Sequence, residues 1–536
     1  MDNNRTVIAV ILIVLLWSGY SMFFAPQKPV EERKINTSQN LPEKSKIIDQ
    51  TEDNIEKFNN ESISDIDYKL LDNQKYQDVT VSTPLYDVVL TTKGASVKHF
   101  DLKKYKKTKK SSESYILFGK KENFITLTSN GSDGLPINSD LKYNITPSLP
   151  TNINIASEKS ITLTAKSDNF QIDKIYTFYP DNYSFNLDVK ITNLSQNPLA
   201  GKFNLLLNTP ATEDESSMMM YSFIGPISYD GTDLQEDKIK NLKDSPSIYT
   251  NNIVWSGFST KYFVTLVKPV DSVDQYLITA NDNVVRTKYI SPRISLEPGN
   301  STSLSYTTYF GPKQHELLAK TGDEFEAAIN YGFFHFLAKP LMVVLKFFNS
   351  YIGNYGFSII LLTICIKIIF WPLTQKSYKS MKGMQKLQPE MKRLREKFGS
   401  DKQRLNQEMM SFYKENKVNP MGGCLPMVIQ IPVFIALYRV LLSSIELRHA
   451  PFMLWITDLS VKDPYYVTPL IMGATMFLQQ KMTPTNMDPT QEKVMLMMPI
   501  VFTFLFLNFP AGLVIYWLTN NVLTIFQQYL IRRQPD

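Results

Sequence analysis

Lys367 is the residue of this sequence best placed to do electrostatic chemistry. It lies within residues 359–374, an apolar run long enough to cross a lipid bilayer. A cation at that depth costs about 2.5–3.5 kcal/mol on insertion scales, and such groups usually face a water-filled cavity or a partner. Because the run contains no acidic residue, Lys367 must find its partner elsewhere.

Other polar residues also interrupt apolar segments, and they are candidates for the same site. Interhelical hydrogen bonds, worth about 0.6 kcal/mol each, are one interpretation of them. A hydrated recess open to the cytoplasm is the other, and it also accounts for the backbone groups that Pro426 and Pro432 leave unpaired. For Lys367, snorkelling to the membrane surface is a third possibility. The residues concerned are Thr363, one helical turn before Lys367, then Gln430, and Thr519, Asn520 and Asn521, which begin two residues after Trp517.

The sequence does not indicate an enzyme. It contains no GxxxxGK[ST] loop, HExxH helix or GxSxG elbow, and its four histidines are scattered. Both cysteines, Cys365 and Cys424, lie in apolar segments, so no disulfide framework is expected. We therefore predict no catalytic residue, no bound metal and no cofactor. The net charge of +6 does not mark the whole chain as a nucleic-acid binder.

Six apolar segments predict six transmembrane helices. The first, residues 6–24, follows Arg5 and is either a cleavable signal peptide or an anchor. We favour an anchor over residues 1–25, because Phe-Phe-Ala-Pro follows it instead of an A-x-A-like cleavage site. The other five segments form a predicted core over residues 353–531. They cover residues 355–373, 424–442, 466–480, 494–509 and 512–530.

The region between the first and second segments predicts a linker and a β domain. Residues 26–75 are too polar to offset their ordering entropy by burial, which favours a flexible linker. Residues 76–315 contain many short stretches that alternate with a period of two, such as residues 174–179 and 184–192. This pattern predicts a large extracytoplasmic antiparallel β-sandwich, whose last strand covers residues 301–310 and ends at Gly311-Pro312.

A helical period begins after the β domain. Residues 316–352 have an apolar face interrupted by Lys339, Pro340 and Lys346. This pattern favours an amphipathic helix in the membrane interface. An ordinary helix packed on the β domain is the alternative.

Basic residues predict the orientation of the chain. Residues 375–419 carry twelve and residues 446–464 carry two. The positive-inside rule then puts the first loop in the cytoplasm with both chain ends, including the tail over residues 532–536, and the β domain outside.

The basic loop also has a helical period of its own. It predicts a hairpin of two helices, with Gly399 ending the first and Ser400 and Gln403 forming a capping box. The charges either fix topology alone or also contact an acidic partner, such as ribosomal RNA or anionic lipid. The candidates are Lys386, Lys392, Arg393, Arg395, Lys397 and Arg404.

Several motifs resemble the YidC family of bacterial membrane protein insertases. They are Asn-Pro-Met-Gly-Gly-Cys-Leu-Pro at residues 419–426, Gln-Ile-Pro-Val-Phe at 430–434, Trp-Pro-Leu-Thr at 371–374, Asp-Pro-Tyr-Tyr at 463–466 and Pro-Ala-Gly-Leu-Val-Ile-Tyr-Trp at 510–517. The β domain and Tyr-Phe-Gly-Pro-Lys at 309–313 are similar to the six-span, Gram-negative form.

This resemblance implies a groove within the bacterial inner membrane, open to the cytoplasm and to lipid. Lys367 takes the position of the family's cation, which is usually arginine, with Gln430 and Trp517 beside it and Thr363, Tyr516 and Asn520 as further candidates. Arginine stays charged almost anywhere, whereas lysine needs a hydrated setting to keep its proton. The implied partners are nascent membrane proteins, the ribosome, the Sec translocon and the lipid bilayer, with no small-molecule substrate.

Three functional hypotheses follow. The first is a non-enzymatic insertase in which Lys367 attracts acidic segments of a nascent chain. The second is a secondary transporter that uses Lys367 as a coupling site, although the later spans lack acidic residues and an internal repeat. The third is an assembly scaffold, which would tolerate loss of every polar groove residue.

Overall fold

A computed structural model describes residues 76–118, 124–129, 137–148, 150–211, 223–250, 253–281, 284–398, 401–416, 425–483 and 489–533. The predicted anchor, the predicted linker and the last three residues of the predicted tail lie outside these ranges. Gly399, Ser400, Cys424 and most of the motif at residues 419–426 also lie outside them.

The β domain is built from short strands whose buried residues alternate, as the sequence predicts. In β9, for example, every second residue is buried. The strands are β1 Asp78–Ser82, β2 Tyr86–Thr91, β3 Ser96–Lys106, β4 Ser114–Phe118, β5 Ile125–Ser129, β6 Asn144–Thr146, β7 Asn152–Asn154, β8 Lys159–Lys166, β9 Phe170–Phe178, β10 Ser184–Asn193, β11 Leu199–Gly201, β12 Phe203–Pro210, β13 Gly225–Tyr229, β14 Leu234–Glu236, β15 Ser247–Tyr249, β16 Trp255–Ser259, β17 Phe263–Pro269, β18 Gln275–Ala280, β19 Val284–Ile290, β20 Ile294–Leu296 and β21 Ser301–Pro312.

Two sheets face each other across an aromatic core. A nine-stranded sheet has the order β14-β13-β16-β17-β21-β10-β9-β8-β6, and a five-stranded sheet has the order β4-β3-β2-β1-β7. Phe310 of the first sheet meets Phe100 of the second edge-on, with ring centroids 5.6 Å apart. A second five-stranded sheet, β15-β18-β19-β12-β5, and the pair β11-β20 complete the domain. The predicted β-sandwich is confirmed.

Two details of the predicted sandwich are wrong. The pairing is not wholly antiparallel, because β1 pairs with β7 in parallel. The last strand also does not end before Gly311-Pro312. Both residues pair with β17, at Val264 and Phe263. Glycine is required there by close packing, since a Cβ on Gly311 would lie 2.8 Å from the Tyr183 Cβ.

The rest of the described chain is mainly helical. Its helices are α1 Ile239–Asp244, within the β domain, α2 His315–Ala319, α3 His335–Ile352, α4 Tyr355–Lys386, α5 Gln388–Phe398, α6 Lys402–Glu415, α7 Leu425–Ser443, α8 Val467–Met482, α9 Pro489–Phe506 and α10 Ala511–Arg533. Short 3-10 helices cover Phe325–Ala328 and Ile445–Leu447.

Three helix predictions need correction. Residues 316–352 do not form a continuous helical region, because irregular chain separates α2, the first 3-10 helix and α3. The helix that contains the second predicted span does not end near residue 373, because α4 continues into the basic loop as far as Lys386. The second hairpin helix is capped by Asp401, whose side chain accepts hydrogen bonds from the backbone N–H groups of Gln403 and Arg404. A carboxylate is a strong N-cap, so it takes the place predicted for Ser400.

The helices expose apolar side chains on their outer surfaces. Among the described residues, α4 alone is long and apolar enough to cross a membrane, and shorter apolar helical stretches cover residues 430–443 and 494–506. Ile369 is 72% exposed and Phe504 is 68% exposed. Large apolar side chains facing outwards from several helices are typical of contact with lipid. The described fold is therefore a β-sandwich joined to a helical membrane region.

The α7–α8 connection, residues 444–466, fixes the beginnings of two helices. Asn354 caps α4 and also donates a hydrogen bond to the Phe452 carbonyl, 2.8 Å away. Asp463 is 1% exposed, and its carboxylate accepts bonds from the Trp455 indole, from the Tyr465 N–H and from Thr468. Burial alone would raise the pKa of Asp463, but these hydrogen bonds outweigh burial and lower it. The Asp-Pro-Tyr-Tyr motif therefore has a structural role, and it lies at the end of the helical region to which the β domain is attached.

Candidate functional site

The Lys367 side chain points from α4 towards α10. Its Nζ atom donates a hydrogen bond to the Thr524 hydroxyl, 2.8 Å away. Thr524 is buried, and its own hydroxyl donates to the Asn520 carbonyl at 2.6 Å. One hydroxyl therefore accepts from the cation and donates to the backbone of α10, which fixes the position of the Lys367 amine.

Gln430 joins the same arrangement from α7. Its Nε2 atom donates to the Asn520 Oδ1 atom, 3.0 Å away. Asn520 thus accepts one hydrogen bond from Gln430 at its side-chain oxygen and another from Thr524 at its backbone carbonyl. The structure brings three predicted residues, Lys367, Gln430 and Asn520, to one place between α4, α7 and α10.

Trp517 lies one helical turn before Asn520 and belongs to an aromatic cluster. Its ring meets Phe434 edge-on, with centroids 4.8 Å apart, and lies 5.1 Å from Phe506. Trp517 is partly exposed, whereas Tyr516 is only 2% exposed and stacks on Phe434. Trp517 is therefore accessible beside the polar residues, whereas Tyr516 lies in the core of the bundle, where its side chain also forms a hydrogen bond with Gln430.

The structure does not bring Thr363 into this arrangement. Thr363 is 1% exposed, and its hydroxyl donates to the Ile359 carbonyl one turn earlier in its own helix, at 2.6 Å. A buried threonine often satisfies its hydroxyl in this way. Sharing a helix face with Lys367 is therefore not enough to bring the two side chains together.

Sequence reasoning missed part of the site on α10. Gln527 donates to the Trp371 carbonyl at 3.4 Å, and Gln528 donates to the Tyr378 hydroxyl at 2.7 Å. Both glutamines are buried. Their signal was the spacing of polar residues along the last apolar segment, at intervals of three and four. We call the full set the polar seam: Lys367, Gln430, Asn520, Thr524, Gln527 and Gln528.

The polar seam holds unused hydrogen-bonding capacity. A lysine ammonium has three donors, and the one bond seen for Lys367 within the described ranges uses one of them. No carboxylate in the described part of the chain acts on this lysine. The buried Oε1 atoms of Gln527 and Gln528 also have no hydrogen-bond partner among the described residues. The Lys367 ammonium can therefore donate to a further polar or anionic group, whereas the two glutamine oxygens can only accept from a donor.

The geometry does not suggest a metal centre. Among the described residues, no group of three or more His, Cys, Asp or Glu side chains lies close enough together to hold an ion.

The basic hairpin has the predicted helices with altered bounds. α5 and α6 pack against each other, and the Arg404 guanidinium lies 5.2 Å from the Phe398 ring centroid. Lys386 stands at the end of α4 rather than within the hairpin. The Arg395 side chain lies outside what the structure describes. The exposed members of the predicted set are Lys386, Lys392, Arg393, Lys397 and Arg404.

Two family models match the chain, and their matches meet within α3. The model described as "YidC periplasmic domain" matches residues 78–344, and the model described as "60Kd inner membrane protein" matches residues 347–536. The chain is also 43% identical over 550 residues to a protein of Syntrophus aciditrophicus named "Membrane protein insertase YidC". That match covers 99% of this chain and 100% of its relative.

The chain belongs to the YidC family of membrane protein insertases. A YidC relative from Geobacter sp. (strain M21) is 47% identical over 466 residues, covering 86% of each chain. A solved structure described as "Active YidC insertase crystal structure with the first transmembrane domain resolved" is 17% identical, covers 86% of this chain and 94% of that chain, and has a TM-score of 0.37.

Membership of the YidC family decides between the hypotheses of function. The relatives are named as insertases, so the chain has a non-enzymatic role in which nascent membrane proteins are the substrates. The transporter hypothesis has no support from these relatives. The chain is a membrane protein with a periplasmic domain.

Proposed function

We propose that the chain inserts membrane proteins by way of the polar seam, and that Lys367 is the cation that receives the polar segment of the substrate. The observation that carries this proposal is the bond from Lys367 to Thr524, 2.8 Å long, on a lysine with no acidic partner among the described residues. Two ammonium protons remain for a visiting carboxylate, whose approach also supplies the missing counter-charge.

The attraction between Lys367 and an acidic residue of the substrate is large enough to affect insertion. Two opposite charges about 4 Å apart attract by roughly 4 kcal/mol at an effective dielectric near 20, before desolvation is subtracted. This attraction offsets much of the cost of bringing one acidic residue into the membrane. The apolar segment of the substrate then moves past exposed apolar side chains such as Met497 and Phe504 of α9 into lipid. Burial of its apolar surface drives that last step.

We further propose the bacterial inner membrane as the location, with six spans and both chain ends in the cytoplasm. The charge difference between residues 375–419 and 446–464 supports this orientation. Residues of the α7–α8 connection hold the β domain, and α4 leads away from that end into the basic hairpin. The proposed domain boundaries remain those predicted from the sequence, with the core at residues 353–531 and the interfacial region at 316–352.

The ribosome is the proposed partner of the basic hairpin. Lys392, Arg393, Lys397 and Arg404 are exposed there, and RNA phosphates bind such charges in a salt-dependent way. Replacing these four residues by glutamine should reduce co-sedimentation with ribosomes, most strongly at low salt. Replacing four exposed lysines of the β domain, Lys166, Lys190, Lys238 and Lys240, is the matched control. The Sec translocon is a proposed partner on the family resemblance alone, and co-purification tests it.

Reconstitution tests the proposed function directly. The purified full chain is placed in liposomes, and insertion of a small single-span substrate with an acidic tail is scored by protease protection. We expect insertion with the unaltered chain and with Lys367→Arg, and a loss of at least about tenfold with Lys367→Ala. Lys339→Ala removes an exposed cation outside the seam and is the control. Equal insertion by Lys367→Ala would reject the role of the charge, and no insertion by any form would reject autonomous insertase function.

A further inference from the structure

The most basic stretch of the described chain lies in the β domain. Residues 103–110 read Lys-Lys-Tyr-Lys-Lys-Thr-Lys-Lys, and they cover the end of β3 and the turn that follows. We call this stretch the lysine segment. All six lysines are exposed. Lys103 is paired with Asp87, 2.8 Å away, but within the described ranges no ion pair is seen for Lys104, Lys106, Lys107 or Lys110. So many like charges repel one another unless an anionic partner is present.

The lysine segment is fixed against the helical region. The Arg448 guanidinium donates from Nη2 to the carbonyls of Lys106 and Lys107, at 2.5 and 3.1 Å. It also lies 5.3 Å from the Tyr115 ring and 5.6 Å from the Phe263 ring. In the opposite direction, Lys109 of the segment donates hydrogen bonds to the carbonyls of His449 and Thr457. The segment is thus held at the α7–α8 connection by contacts from both sides.

Exposed apolar side chains lie on the same connection. Leu454 is 75% exposed and Met453 is 45% exposed. Phe452 of this connection also packs edge-on against Phe357, at the beginning of α4. Because α4 is the helix long enough to span a membrane, its beginning lies near a membrane surface. Apolar side chains that meet lipid, with lysines beside them, are the composition of a surface that binds anionic membranes.

We propose that the lysine segment binds anionic phospholipid headgroups in the leaflet on the side of the β domain. Its ammonium groups complement the phosphates, and Arg448 and Lys109 hold the segment at the height of the headgroups. An acidic polypeptide is the competing partner, but the neighbouring apolar side chains favour lipid. The contact would fix the β domain beside the outer ends of α4 and α7. This inference goes beyond insertion and depends only on the proposed topology.

Fluorescence quenching in nanodiscs tests the proposal on the full chain. Thr108→Cys, with Cys365→Ala and Cys424→Ala, allows one fluorophore to be placed within the lysine segment. Nanodiscs contain phosphatidylcholine with or without phosphatidylglycerol, and a trace of lipid carries a headgroup quencher. We expect quenching to be strong only with phosphatidylglycerol and to fall at least about fivefold in the variant with Lys104, Lys106, Lys107 and Lys110 replaced by glutamine.

Matched variants make the result specific. Replacing Lys166, Lys190, Lys238 and Lys240 by glutamine removes the same charge from the β domain and should leave quenching unchanged. Arg448→Gln should reduce quenching although every lysine remains. Equal quenching in both lipid mixtures, or no effect of the four lysine replacements, would overturn the proposal. If polyglutamate lowers the quenching of the fluorophore in nanodiscs of phosphatidylcholine alone, and phosphatidylglycerol has no effect, the segment binds an acidic polypeptide instead.

Discussion

The β domain and the helical region distribute their side chains in opposite ways. Along residues 185–192 of β10 the apolar residues are buried and the polar ones between them face outwards. In the helical region, large apolar residues such as Ile369 and Phe504 are exposed, while Thr524 and Gln527 are buried. The same physical rule explains both, because each surface matches its solvent. The β domain exposes polar side chains to water, and the helices expose apolar side chains to lipid and enclose polar ones.

A lysine in each region makes the contrast concrete. Lys174 of β9 is fully buried and donates to the carbonyls of Gly94 and Ala95, at 2.8 and 3.4 Å. Its burial lowers its pKa to about 7. Lys367 is only partly buried, and within the described ranges one hydroxyl, that of Thr524, holds it. The first lysine is satisfied by the fold, whereas two donors of the second have no partner seen among the described residues.

The largest predicted effect is the loss of an aromatic ring from the β domain. Phe310 is fully buried and meets Phe118, Phe124 and Phe185 edge-on. We expect Phe310→Ala to lower the free energy of unfolding of the β domain by about 3–5 kcal/mol. Phe504→Ala on the outer surface of α9 should have little effect. Thermal proteolysis of the full chain, with fragments identified by mass spectrometry, measures both, and similar losses would contradict the contrast.

A charge placed on each outer surface gives the next largest effect. Ile369→Lys puts an ammonium on a side chain that is 72% exposed, two residues from Lys367. On the lipid side it should cost about 2.5–3.5 kcal/mol and reduce the amount of chain integrated into membranes. Val270→Lys, at a β-domain position that is 66% exposed, should change stability by no more than about 0.5 kcal/mol. If both variants integrate equally well, the outer surface of α4 does not face lipid.

Lys174→Met tests the buried lysine through pH. The folded chain holds this group with a pKa of about 7, below the usual lysine pKa of 10.5. The unfolded chain therefore binds more protons between these values, and stability rises with pH across that window. Methionine removes this dependence. We expect the free energy of unfolding of the variant to exceed that of the unaltered chain by about 2–3 kcal/mol near pH 7, after the lost hydrogen bonds are subtracted. Near pH 10 the two should differ little.

Thermal proteolysis of the variant and the unaltered chain from pH 6 to pH 10 measures that difference. The gain should be constant below pH 7 and should shrink as the pH rises. A gain that does not vary with pH would show that the lysine is not desolvated in the folded chain.

Two buried asparagines give the smallest effect and the finest test. Asn521 lies between α10 and α8, and donates to the Thr475 hydroxyl at 3.3 Å. We expect Asn521→Leu to cost about 0.6 kcal/mol, as is usual for polar contacts between membrane helices. Asn193 of the β domain donates to two carbonyls and accepts from Ser195. Asn193→Leu should cost about 1–3 kcal/mol, because these groups stay buried without partners. The same proteolysis assay ranks the two variants, and the reverse order would be inconsistent with the contrast.

Local patterns made most of the fold predictable. The alternation in residues 184–192 sets which face of β10 is buried, and it needs no distant residue. The position of Lys367 in an apolar run likewise identified a functional candidate. Other features depend on distant partners. Thr524 became important only because α10 brings it to Lys367, 157 residues away in sequence. The extension of α4 to Lys386 was also missed, because a change from apolar to basic residues does not end a helix.

A charge exchange between Lys367 and the substrate tests the central claim most directly. Four combinations are compared in liposomes, with Lys367 or Lys367→Glu in the chain and an acidic or a basic tail on one single-span substrate. Our account predicts that Lys367→Glu lowers insertion of the acidic tail by at least about tenfold and that the basic tail restores much of the loss. Equal losses for both tails would contradict attraction between Lys367 and the substrate.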